Sequence, residues 1–112
     1  MASTAGKVLE LVVFKLEKGV TREQFLDTVD AVSTWIAEQP GFMSRDLSYD
    51  AEGDRWIEVI WWTTMEAARV AAELAMTSES CAPMFALIDK ESTLMAHGEP
   101  AIAPVRAADG SS

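Results

Sequence analysis

The stretch Arg55-Trp-Ile-Glu-Val-Ile-Trp-Trp-Thr63 decides the fold. It is rich in β-branched and aromatic residues and holds no Gly or Pro, so it reads as a strand. Successive side chains on a strand point to opposite faces, so Trp61 and Trp62 cannot both be sheltered by the same neighbour. One parity carries Ile57, Val59 and Trp61. The other carries Trp56, Glu58, Ile60 and Trp62. A strand with large apolar residues on both faces needs cover on both faces.

The same pattern recurs at Lys7-Val-Leu-Glu-Leu-Val-Val-Phe-Lys-Leu16, where Leu9, Leu11 and Val13 oppose Val8, Val12, Phe14 and Leu16. Gly19 ends that strand. Thr21-Arg-Glu-Gln24 has the pattern of a capping box, and Phe25, Val29, Val32 and Ile36 then mark one face of a helix running to about Gln39. Pro40-Gly41 stops it. Phe42 to Asp50 is a weaker strand whose polar row Ser44, Asp46 and Ser48 suits a sheet edge. Ala51-Glu-Gly-Asp54 closes a hairpin, with Gly53 available for a positive φ. Thr63 or Thr64 caps a second helix with Glu66 in its first turn and an apolar face of Ala67, Val70, Ala71 and Leu74. Pro83 is placed to start a short helix carrying Met84 and Phe85, with Leu87-Ile88 after them. A last strand spans Ser92 to Gly98. The order is β-α-β-β-α-β, the ferredoxin-like plan: an α+β fold with a four-stranded antiparallel sheet and two main helices on one face. Residues 7–98 form one domain, and 99–112, with Pro100 and Pro104, form a tail flexible at its end.

Composition narrows the function. The chain has 112 residues, of which 49% are hydrophobic, enough for a packed core. Its net charge of −9 argues against nucleic acid and against anionic membranes. No apolar run is long enough to span a bilayer, and Met-Ala-Ser-Thr-Ala-Gly-Lys lacks an apolar secretory core, so a cytoplasmic location is expected. One His and one Cys make neither a disulfide framework nor a zinc site, and no metal is expected. With no phosphate-cradling Gly loop, no tightly held flavin or NAD is expected either, hence no cofactor.

One face of the sheet can meet the chain's own helices. Leaving the other in water would expose several large side chains, each worth ~1.5–3 kcal/mol when fully buried. The simplest cover is a second copy packed sheet to sheet as a two-fold homodimer. The intramolecular alternative folds Ser78–Ile88 and the tail over that face.

Element order and the local pattern Val59-Ile-Trp-Trp-Thr-Thr-Met-Glu-Ala-Ala68 resemble the antibiotic biosynthesis monooxygenase superfamily over about Lys7 to Gly98. The resemblance implies a dimeric α+β barrel with two sheets face to face and helices outside. It implies several activities, among them cofactor-independent oxygenation of aromatic or quinol-like molecules, haem degradation and signal-molecule processing. The haem-degrading branch uses an Asn, a Trp and a His. Trp62 matches the Trp, but Val12 stands at the Asn position, the chain contains no Asn, and no His occurs near Cys81, Met84 and Phe85. Haem degradation is therefore disfavoured. The resemblance also orients the sheet, with Val8, Glu10, Val12, Phe14, Trp56, Glu58, Ile60 and Trp62 toward the helices. Leu9, Leu11, Val13, Ile57, Val59 and Trp61 then line the dimer barrel.

Glu10 and Glu58 interrupt apolar faces on strands that this topology sets side by side. A buried carboxylate there could act as a general base on a phenol or enol, unless a rim position or Arg45, Arg55 or Arg69 neutralises it. His97 is the only imidazole, a group suited to proton transfer near neutral pH, although a strand-end His is often simply exposed. Val12, Phe14, Trp62, Trp35 and Phe85, with Met84 and Met95, could wall an apolar pocket for a flat substrate or could equally be core. Cys81 reads as a small apolar residue rather than a nucleophile. Tyr49 and Arg45 share a parity on the second strand and could reach a substrate or the dimer rim. The two functional readings are thus a cofactor-independent monooxygenase or isomerase with Glu10, Glu58 and His97 as acid–base groups, and a non-catalytic dimeric ligand-binding or assembly module.

Overall fold

A computed structural model describes residues 7–108. Its elements are β1 (Val8–Leu16), α1 (Arg22–Leu26), α2 (Val29–Ala37), β2 (Phe42–Asp50), β3 (Arg55–Trp62), α3 (Met65–Ala75), α4 (Ala82–Ala86) and β4 (Ile88–Gly98). The strands form one antiparallel sheet in the order β2-β3-β1-β4, so the two strands with large apolar residues on both faces are central and the polar row of β2 lies on an edge. This is the expected α+β, ferredoxin-like sheet.

The helices cover one face. Val8, Phe14, Trp56, Ile60 and Trp62 are buried on that side and pack against Phe25, Val32 and Ile36 of α1 and α2, Ala68 and Ala71 of α3, and Met84 of α4. Cys81 joins this core as a buried thiol whose pKa is raised, first of all by desolvation. The opposite face carries Leu9, Leu11, Val13, Ile57, Val59 and Trp61, each half-buried by its sheet neighbours, and Leu94 of β4 beside Val13 is exposed. Among the described residues nothing folds over it. Cys81 and Met84 pack on the helical side, and residues 99–108 are exposed with no strand or helix. Among the described residues, then, neither Ser78–Ile88 nor the tail covers that face. The end of the tail, residues 109–112, lies outside the described residues.

Several local expectations change. The first helix is two pieces, because at Asp27-Thr28 the hydrogen bonding tightens: the Thr28 amide and hydroxyl both donate to the Phe25 carbonyl, at 2.9 and 2.6 Å. The capping box at its start is present, with the Gln24 amide donating to the Thr21 hydroxyl and the Thr21 amide donating to the Gln24 side-chain oxygen. On α3, capped by Thr64, the buried face is Ala68 and Ala71, whereas Val70 and Leu74 are exposed. The helix lies close to the sheet through its smallest residues, which rotates the branched ones outward.

In the hairpin the positive φ falls on Asp54 (52°), not on Gly53. Asp is among the residues that tolerate this region, and its carboxylate accepts from the Tyr49 hydroxyl at 2.7 Å. β4 begins at Ile88 rather than Ser92. A register shift between Val13 and Lys15 lets Lys15 and Leu16 pair with Asp89 and Ile88, and the Ser92 hydroxyl accepts the Lys15 amide at 2.8 Å.

Gly41 is the glycine that the fold requires. Its φ is +85°, and a Cβ there would meet the Ala67 Cβ at 2.6 Å and the Thr63 hydroxyl oxygen at 2.8 Å. Its carbonyl accepts the Thr63 amide at 2.8 Å, which joins the end of β3 to the turn before β2.

Candidate active site

Two carboxylates stand in the apolar layer between sheet and helices. Glu10 of β1 and Glu58 of β3 are each only 6% exposed. Glu10 is paired across the ladder with Ile60, and Glu58 with Val12, so the two are diagonal neighbours on one face.

Their environments differ. Glu58 is neutralised by Arg45, whose Nε–H donates to Oε2 within a buried ion pair. The same guanidinium donates from Nη1 to the Ser33 hydroxyl at 2.8 Å, and Nη2 approaches the Met84 sulfur at 3.8 Å. Arg45 thus ties edge strand β2 to α2 and α4. Among the described residues Arg45, rather than Arg55 or Arg69, pairs with a buried carboxylate. Arg55 instead pairs with Asp50 at 2.9 Å in the hairpin.

Glu10 has no such cation. It accepts the Trp62 indole N–H at 2.9 Å, and across the β1–β4 ladder it sits directly opposite His97. The His97 Nε2 lies 3.6 Å from Glu10 Oε1, too far for a good hydrogen bond, and among the described residues this buried nitrogen has no other partner. The His97 side chain as a whole retains 19% exposure, so the ring spans from the carboxylate to the surface. Desolvation is the main influence on Glu10 and pushes its pKa up. The Trp62 hydrogen bond and His97 oppose that rise, and the Glu58 charge adds to it.

The five apolar pocket candidates fall in two adjoining clusters. Trp62 packs with Val8, Ile36 and Ile60, while Val12, Phe14 and Phe85 pack around Phe25 and Trp56; Trp35 touches both. Phe14 and Trp62 are each 1% exposed. Two concavities open elsewhere. One of about 310 Å³ lies between Gly41, Thr63 and α3. The other, of about 350 Å³, lies at the far end of the sheet and is lined by Lys15, Lys18, Arg22, Tyr49 and Trp56 among others. Nothing in the spacing of Arg22, Tyr49 and Trp56 signals the last grouping, which exists because three chain segments converge there. Among the described residues no cluster of His, Cys, Asp and Glu could hold a metal ion, and no helix is long and apolar enough to cross a membrane.

With this geometry established, comparison with solved structures is decisive for the fold. A point variant of SnoaB, a cofactor-independent oxygenase from Streptomyces nogalater, superposes with a TM-score of 0.67 at 17% identity, covering 88% of this chain and 97% of that one. The chain shares the fold of the antibiotic biosynthesis monooxygenase-type proteins. A Bordetella bronchiseptica protein provisionally assigned to the antibiotic biosynthesis monooxygenases gives a TM-score of 0.73 at 17% identity, over 87% of this chain and 99% of that one. A dimeric ferredoxin-like protein of unknown function from Thermobifida fusca gives 0.67 at 13% identity, over 84% and 91%. No family model and no curated protein matches the sequence. Identities this low speak to the monooxygenase-type fold and leave the chemistry to the site.

Proposed function

We propose that the chain is a homodimeric, cofactor-independent monooxygenase acting on a small aromatic or quinol-like substrate, with Glu10 as general base. The observation that carries this reading is the buried Glu10 carboxylate, held by the Trp62 indole and facing an imidazole nitrogen that has no hydrogen-bond partner among the described residues. The shared fold with SnoaB, itself a cofactor-independent oxygenase, supports it.

The chemistry follows from the environment. A carboxylate whose pKa is raised by burial is a stronger base than one in water, and it can take the proton of a phenol or enol. The resulting anion is electron-rich enough to be oxidised by dioxygen directly. Converting a ring methylene to a carbonyl consumes one O₂ and releases one water, so no external reductant is needed. Trp62 fixes the orientation of the carboxylate, and His97 connects it to solvent for proton exchange. Glu58, neutralised by Arg45, shapes the field at Glu10 instead of sharing its role. Val12, Phe14, Trp35, Trp62 and Phe85 would supply the apolar walls.

The dimer part of the proposal rests on the open sheet face. Leu9, Leu11, Val13, Ile57, Val59 and Trp61 form a continuous apolar patch across β1 and β3, rimmed on β2 by Ser44, Asp46 and Ser48. A self-complementary face of this kind suits a two-fold partner, and the Thermobifida fusca protein of the same fold is dimeric.

A second reading, a non-catalytic ligand-binding module, is favoured by the near-complete burial of Phe14 and Trp62. Oxygen uptake separates the two. Across anthrones and naphthols, with chelator present and no added flavin, the enzyme reading expects one O₂ consumed per quinone formed, with water and not hydrogen peroxide as the second product. Glu10→Gln should reduce it by about 10²–10⁴-fold. Absence of consumption across the panel would overturn the enzyme reading in favour of the binding module.

A further inference from the structure

We propose a second ligand site, distinct from the Glu10 cluster, that binds a planar aromatic carboxylate in the concavity between the end of β1 and the start of α1. Trp62 and Trp56 are six residues apart on β3, so this site lies roughly 20 Å along the strand from the Trp62 end.

Four features define its ligand. The concavity measures about 350 Å³, at the small end of ligand pockets and suited to one or two rings. Its walls include Tyr49 and Trp56, whose ring centroids are 5.0 Å apart and tilted by 51°. The Arg22 guanidinium carbon lies 5.3 Å from both centroids, within cation–π distance of each ring. Among the described residues Arg22 forms no ion pair, so no carboxylate takes its N–H donors.

The charge pattern points the same way. Lys15 and Lys18 line the same concavity, so three of the chain's nine Lys and Arg residues converge there in a protein of net charge −9. The two acidic residues of the lining are Glu17 and Asp54, and an Asp54 oxygen is occupied by the Tyr49 hydroxyl. Three cations that, among the described residues, form no ion pair with a carboxylate stand beside two tilted aromatic rings, a setting that recognises a flat anion. The Arg22 fork pairs with its carboxylate, the lysines add charge, and the exposed Tyr49 ring takes its ring against the edge of the largely buried Trp56. At contact distance these cations outweigh the distant negative charge, which salt screens beyond about 8 Å.

The test uses 2-naphthoate as the probe and follows the tryptophan indole N–H resonances of the full chain by NMR. The expected result is a saturable shift of the Trp56 indole with the Trp62 indole unmoved. Arg22→Gln should weaken binding at least tenfold and Lys18→Gln severalfold, while Arg69→Gln on the exposed side of α3 binds like the parent. The neutral 2-naphthamide, with the same rings, should bind at least tenfold more weakly. Unchanged melting temperatures confirm that these surface variants remain folded. Equal binding of naphthoate and naphthamide, equal binding by parent and Arg22→Gln, or no movement of Trp56 up to low-millimolar probe overturns the proposal. A shift at Trp62 alone would also overturn it, since the probe would then be at the Glu10 cluster.

Discussion

The Trp62 indole donates its N–H to the Glu10 carboxylate at 2.9 Å, across 52 residues of sequence and deep beneath the helices. The contact explains why a carboxylate survives in an apolar layer: one of its oxygens has a fixed donor, and an imidazole stands opposite. It also explains how one of two adjacent tryptophans is sheltered, since Trp61 on the other face is only half-buried, with the Lys7 ammonium 5.2 Å from its ring centroid.

Trp62→Phe keeps most of the ring volume and removes the donor. The buried Glu10 oxygen then lacks its partner, and the expected loss of stability is about 1–3 kcal/mol by urea denaturation at neutral pH. Because an ionised carboxylate gains more from an N–H donor than a protonated one, the loss should shrink in mild acid. A variant as stable as the parent at neutral pH would mean that the bond contributes nothing.

Glu10 gives the stability a distinct pH dependence. Its pKa is raised in the folded chain, so between the ordinary glutamate value of about 4.3 and the folded value the native state holds more protons than the unfolded state. Stability from this group therefore falls as pH rises through that window. Glu10→Gln removes the titration and can still accept from Trp62. Thermal melts from mild acid to pH 8 should show the variant gaining on the parent as pH increases. Parallel curves would contradict the raised pKa.

Arg45 and Glu58 test what a buried ion pair is worth. Arg45→Met alone strands the Glu58 charge and should cost about 3–5 kcal/mol. Adding Glu58→Gln should recover most of that loss, because the desolvated charge disappears with its partner. If the double variant is as unstable as the single one, the contacts of Arg45 with Ser33 and Met84 matter more than charge balance.

The open face predicts the assembly. Sedimentation of the parent at micromolar concentration should give twice the 12.2 kDa chain mass, and Val59→Lys should shift it toward the single chain. A parent that sediments as a stable single chain removes the dimer from the proposal.

Gly41→Ala should be severe. It combines a φ of +85° with a Cβ overlapping Ala67 and Thr63, backbone strain plus a clash that the packed α3 cannot relieve. A loss of about 2–4 kcal/mol in urea is expected. Gly19→Ala, also at positive φ but in open space, should cost only about 1–2 kcal/mol.

Much of this fold was legible in the chain because its signals are local. Alternation on β1 and β3 comes from backbone geometry, so the two-faced strands and the conflict between Trp61 and Trp62 are readable within nine residues. The caps at Thr21 and Thr64 and the stop at Pro40-Gly41 are likewise short-range. The face of α3 was harder: Val70 and Leu74 look like core by spacing, yet close approach to the sheet selects Ala68 and Ala71. The break at Thr28 depends on one hydroxyl competing for a carbonyl, which hydrophobic periodicity does not register.

By itself, then, the sequence determined the element order, the two apolar parities of the central strands and the presence of two carboxylates within them. Only the tertiary structure decided that Glu58 goes to Arg45 while Glu10 goes to Trp62 and His97, and that Arg22 lies over Tyr49 and Trp56. The reason is physical. Side-chain alternation is set within each strand, whereas partners 13 to 87 residues apart are set by sheet register and helix docking, which minimise the free energy of the whole chain.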